Sequence, residues 1–192
     1  MSKIDEMKSN LDAMNEVLQA GVNVQEILEE YILIHYDIPT TEEGDTIRNE
    51  FYSNARAIGA VQLSESVYFM PWTDEANTQA ILLAGVEGAT VFVHYSKSID
   101  EEQGRAMAAV YDGAISKWME DIRKRLDRIK KHALEGTPHI AMRMVRVTQE
   151  HINNLEGICE RRGVEAFKDE LVSIKTEFSD AITKVLIAEV YR

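Results

Sequence analysis

From Ser98 onward the apolar residues hold a helical period that does not break until Gly136 and Pro138. Val110, Ala114, Trp118, Ile122, Leu126, Ile129 and Ala133 recur three or four apart, the spacing of one helix face. Ser98 followed by Glu101 reads as a capping box at the start. A helix of more than about thirty residues spans about 50 Å, more than a single small sheet can cover. Part of it must therefore pack on other helices, and two are available. One centres on Met144 to Arg162 and stops at Gly163; the other turns Phe167, Leu171, Ile174, Phe178, Ile182 and Val185 inward. Residues 99–192 are expected to form a helical hairpin or bundle extension, packing within one chain or between two.

Upstream the period changes repeatedly. Tyr31 to Tyr36 is β-branched, aromatic or leucine at five of its six positions, the composition of a buried strand. Pro39 ends it, Thr40 with Glu43 reads as a capping box, and Ile47, Phe51, Ala55 and Ile58 mark a helix closed by Gly59. "AVQLSESVYFMP" then reads as a hairpin with its tip at Ser64 to Ser66. Thr73 caps a second helix with Ala76, Ala80, Leu83 and Ala84 inward, and "ATVFVHY" is a last strand. Strand, helix, strand, strand, helix, strand is the ferredoxin-like βαββαβ order. The expected class is α+β: an N-terminal helical segment over 1–30, where Met7, Leu11, Met14 and Leu18 make one face, a ferredoxin-like module over 31–98, and the long helical C-terminal half over 99–192. The sheet's open face needs a cover: the leading helix, the C-terminal helices or a second subunit.

The formal net charge of −12 opposes sequence-independent binding to nucleic acid, whose affinity comes mainly from phosphate neutralisation. The acid excess lies before Ile99; beyond it the charges nearly balance, and "IRKRLDRIKKH" is locally basic. A polyanion would have to meet the helices, with Arg123, Lys124, Arg125 and Arg128 as possible contacts. These residues encircle their helix, however, which favours a solvated face paired with Asp121 and Asp127. No long apolar run or leader pattern stands out, so a cytoplasmic protein without a membrane partner is expected. Cys159 is the only cysteine, which excludes an internal disulfide and reads as a helix thiol.

Asp37 is the strongest candidate for chemistry. In this order the first and third strands are expected to lie side by side and parallel, which puts it near Met70, Pro71 and Trp72. A second carboxylate from Glu42, Glu43, Asp45, Asp74 or a symmetry-related Asp37 would complete a hard-oxygen site for Mg²⁺ or Mn²⁺. The competing reading is a turn residue ahead of Pro39. His35 and His94 both end apolar strands and are expected at opposite edges of the sheet, so they should not share an ion. His132, His139 and His151 have no close ligand spacing. No nucleophilic set or phosphate loop is present.

The stretch "ILIHYDIP", the helix with Arg48 and Arg56, and the hairpin "GAVQLSESVYFMP" resemble the small CRISPR-associated adaptation subunit, the second Cas protein. The same module resembles the opening of the chromate-resistance regulators and a part of phenylacetate-type repressors. The first resemblance implies a divalent metal at Asp37 across a two-fold dimer interface and nuclease activity, with Arg48 and Arg56 as possible nucleic-acid contacts. The second implies a regulatory role. The expectation carried forward is a non-catalytic homodimeric scaffold or regulator. A metal-dependent phosphodiesterase using Asp37 and a nucleic-acid-binding regulator using the basic helix are the alternatives.

Overall fold

The computed structural model describes residues 27–190; the expected leading helix lies almost wholly outside them. The elements are β1 (Glu30–Asp37), α1 (Glu42–Ala57), β2 (Val61–Ser64), β3 (Val67–Pro71), α2 (Asp74–Leu83), β4 (Thr90–Lys97), α3 (Glu101–Leu134), α4 (Pro138–Arg162) and α5 (Glu165–Val190). The class is α+β. One four-stranded sheet has the order β2-β3-β1-β4, and every neighbouring pair is antiparallel.

That direction corrects one expectation. β1 and β3 are antiparallel, with Tyr31 opposite Pro71 and His35 opposite Val67. The reason is geometric: the crossover through α1 leaves β2 parallel to β1, and the hairpin then returns β3 the other way. Residues directly opposite share a face. Ile32, Ile34 and Tyr36 therefore face the same way as Met70 and Tyr68, under α1, where the Tyr36 and Phe51 ring centroids are 4.5 Å apart. α2 packs over β1 and β4 on the same layer.

Tyr31, Leu33 and His35 project to the other face with Phe69. Here α3 supplies a partial cover, the Phe69 and Tyr111 centroids lying 5.8 Å apart. α3, α4 and α5 pack pairwise as a bundle. Ile115, Met119, Leu126 and Ile129 meet Ile152, Leu155 and Ile158 of α4 and Leu171, Ile174 and Phe178 of α5 in a core continuous with the sheet. The upper half of α3 is rotated from the expected stripe. It buries Met107, Tyr111, Ile115 and Met119, leaving Val110 exposed and Ala114 and Trp118 half-buried.

Two caps also differ by a residue or two. Thr41, not Thr40, receives the Gly44 N–H at 3.0 Å. Asp100, not Ser98, caps α3 by accepting from Gln103 N at 2.8 Å, while the Ser98 hydroxyl donates to Leu28 O at 2.8 Å and ties the end of β4 to the start of β1. Adjacent small polar residues have equal cap propensity, and the tertiary tie decides between them. Thr73 caps α2 as expected, accepting from Ala76 N at 2.9 Å.

Candidate functional site

The antiparallel sheet redistributes the expected site residues. Asp37 is exposed at the end of β1, opposite Thr90 of β4, and Pro71 lies at the far end of the strand pair. Asp74, which follows β3, is thereby separated from it. Asp45 is engaged by Arg48, whose guanidinium also reaches Ile38 O at 3.4 Å and Pro39 O at 3.3 Å. His35 and His94 are not at opposite edges: Leu33 pairs with His94 and His35 with Phe92, which makes the two histidines diagonal neighbours on one face. Their ring centroids are 5.4 Å apart. Among the described residues no three His, Cys, Asp or Glu side chains converge as a metal-binding set.

The basic residues separate into two groups. Arg123 bridges to α5, with Nη1 2.5 Å from Glu170 Oε1 and Nε 3.4 Å from Glu177 Oε1. Lys124 pairs with Glu120 at 2.8 Å, and Arg128 Nε donates to Lys124 O at 3.3 Å. Arg56 and Arg125 make no ion pair or hydrogen bond among the described residues, and neither does Lys117. All three line one cleft.

This cleft, of about 820 Å³, opens between α1 and the hairpin on one side and α3 and α4 on the other. Its floor is set by the turn after α1. Gly59 adopts φ +83° and packs so closely on α4 that a Cβ there would lie 2.6 Å from Ile158 Cγ1. The Tyr111 hydroxyl donates to Gly59 O at 2.9 Å, and Arg161 Nη2 donates to Ile58 O at 2.8 Å. These contacts join the sheet module to the bundle and leave the space beside them open. A part-buried ion pair ties α3 to α4 within the bundle: Arg162 meets Asp112 through Nε to Oδ1 at 2.6 Å and Nη2 to Oδ2 at 2.9 Å.

The walls combine charge with aromatic surface. α1 contributes Tyr52 and Arg56; α3 contributes Lys117, Trp118, Asp121 and Arg125; α4 contributes Glu150, His151 and Asn154; the sheet contributes Gln62 and Tyr68. Tyr36, Phe51, Tyr52 and Tyr68 form a ring cluster behind α1, with the Tyr36 and Tyr52 hydroxyls 3.0 Å apart and the Tyr36 hydroxyl also donating to Glu65 O. Burial raises the pKa of Tyr68, with Tyr52 adding to it, so the phenol is protonated at neutral pH. His151 is lowered from 6.5, first by burial and then by the charges of Arg125 and Arg56, with Glu150 opposing. At neutral pH the cleft therefore presents a neutral imidazole together with two guanidiniums that form no ion pair among the described residues. Cys159, fully buried behind this wall, has its thiol pushed up to about 12 by burial and nearby carboxylates and is a packing residue.

Sequence reasoning named Arg56 and Arg125 but not what joins them. The available signal was Ala114, Lys117, Trp118, Asp121 and Arg125, a mixed face beside the apolar stripe on one helix; Trp118 had been assigned to the core. Family models, curated proteins and solved structures gave no match to this chain.

Proposed function

We propose that this protein is a non-catalytic regulatory protein that takes up a small anionic ligand in the cleft between a ferredoxin-like module and its helical extension. The observation that carries this is the set Arg56, Lys117 and Arg125, lacking ion-pair partners among the described residues of a chain whose net charge is −12. Most other cations among the described residues are matched to an acid. Cations left unmatched around a concavity of this size form a site for an anion that the protein does not itself supply. The strand order and antiparallel pairing support the ferredoxin-like assignment.

Thermal denaturation and calorimetry with inorganic phosphate, benzoate and nucleotides test the reading. Saturable stabilisation that disappears in R56Q/R125Q, with the ligand recovered unchanged, is the expected result. Failure of every anion to bind the folded protein overturns it.

Self-association is a second reading, favoured by the part of the sheet that α3 leaves open. Phe92 is 59 % exposed on that face beside His94, and β4 is an edge strand. Light scattering at micromolar concentration tests it: a dimer that F92D dissociates supports it, and a wild-type monomer removes it.

A further inference from the structure

The geometry points to a nucleoside monophosphate, a single phosphate ester carrying one flat ring, as the class of ligand this cleft takes, with its phosphate between Arg56 and Arg125 and its binding accompanied by proton uptake on His151. The inference rests on the proposed ligand-binding role and narrows it.

Three observations converge. First, the cleft volume of about 820 Å³ falls in the range that encloses a drug-sized organic molecule, well beyond a bare inorganic ion. Second, the cations that lack partners include two guanidiniums from facing elements, Arg56 on α1 and Arg125 on α3, both close enough to His151 to act on it electrostatically. Guanidinium forks match the oxygens of a phosphate, which a single ammonium does not. Tyr52 and Trp118 give the same cleft aromatic surface for a ring, and Gln62 and Asn154 give amides for its polar edge.

Third, the charge balance limits the ligand. Three lining cations, Arg56, Lys117 and Arg125, face two lining carboxylates, Asp121 and Glu150, leaving one net positive charge while His151 is neutral. A phosphate monoester carries nearly two negative charges at neutral pH. Protonation of His151 supplies the missing positive charge. A triphosphate would exceed what the walls neutralise and would be repelled by Asp121 and Glu150. Arg56 from α1, Arg125 from α3 and Glu150 on its own helix act on His151 electrostatically, and the other titratable groups that line the cleft with it are Tyr52 from α1, Lys117 and Asp121 from α3 and Tyr68 from β3. A dianion placed among them reverses the sign of the local field, so the bound state holds a proton that the free state releases. Affinity must then rise as pH falls from about 8 to about 7, where the phosphate monoester, with its second pKa at about 6, stays mostly dianionic.

Isothermal titration of the full chain with adenosine 5′-monophosphate tests this, against adenosine, inorganic phosphate, adenosine triphosphate and a 5′-phosphorylated oligonucleotide. The monophosphate is expected to bind tightest. Its affinity should strengthen from about pH 8 to about pH 7, above the second phosphate pKa, and its binding heat should vary with the ionisation enthalpy of the buffer. R125Q should weaken binding about tenfold or more, with R125K recovering only part, as expected for a charged hydrogen bond. H151Q should bind the monophosphate without the buffer-dependent heat, while its circular dichroism spectrum matches the wild type. Tighter binding of the triphosphate or the oligonucleotide overturns the ligand class, and an unchanged proton signal in H151Q overturns the role of His151. Binding of benzoate or inorganic phosphate without the nucleotide overturns this inference alone. Absence of binding by any anion overturns the broader reading as well.

Discussion

Gly59→Ala tests the joint between the sheet module and the bundle, and the structure separates its effect into two parts. At φ +83° an alanine is held in the left-handed region, which costs about 1–2 kcal/mol. Its Cβ would also lie 2.6 Å from Ile158 Cγ1 and 3.1 Å from Cδ1; forcing a methyl into a packed site costs about 1–3 kcal/mol more. Gly136 isolates the first part, since at φ +73° it has nothing within 4 Å of a built Cβ. G136A should therefore destabilise by about 1–2 kcal/mol, and G59A by about 2–5 kcal/mol. I158A removes the obstructing atoms at its own cost of about 2–5 kcal/mol. In G59A/I158A the clash with Ile158 is absent and only the flexible end of Arg161 stays close, at 3.2 Å, so the double variant should be less destabilised than the sum of the singles by about 1–3 kcal/mol. Urea unfolding followed by circular dichroism measures all four. If G59A costs no more than G136A, or the two substitutions are simply additive, α1 does not meet α4 as described and the cleft floor is misplaced.

Three further outcomes follow from buried groups. D112A removes the carboxylate that meets the nearly buried Arg162 guanidinium and should cost about 1–3 kcal/mol, whereas D112L/R162M should cost less; equal losses in the same unfolding assay would refute a charge origin. His151 has a lowered folded pKa, so below its ordinary value of 6.5 the unfolded chain takes up a proton that the folded chain refuses. Stability of the free protein should then fall as pH drops through that value and level off below the folded pKa; the dependence should be smaller in H151Q, and a wild type that gains stability on acidification relative to H151Q would reverse the assignment. Cys159 is fully buried with its thiol raised to about 12, so a thiol-reactive disulfide reagent should modify it only at the rate of unfolding, and prompt labelling of native protein would contradict that placement.

Much of the local structure was legible in the sequence because helix and strand leave periods of about 3.6 and 2 residues in the apolar pattern. The β1 run, the α1 face around Phe51 and Ala55, the hairpin tip near Glu65, the Thr73 cap and the Gly163 stop are all properties of neighbours along the chain. The choice of face on α3 was not. Val110-Ala114-Trp118 and Tyr111-Ile115-Met119 are both plausible stripes on one helix, and a one-residue shift turns the face by about 100°. Only packing against Phe69, α4 and α5 selects the second and leaves Trp118 to the cleft.

The same division holds for the candidate sites. The sequence by itself established which residues carry charge and which elements hold them: Asp37 at a strand end, Arg56 on one helix, Arg125 on another. Their neighbours depend on strand direction and on how distant elements meet, which no local pattern encodes. Antiparallel pairing of β1 with β3 moved Asp37 away from Pro71, and the register of β1 on β4 brought His35 to His94. The approach of α1 to α3 and α4 set Arg56 and Arg125 around His151, a juxtaposition of residues far apart along the chain that only the packing of these helices creates.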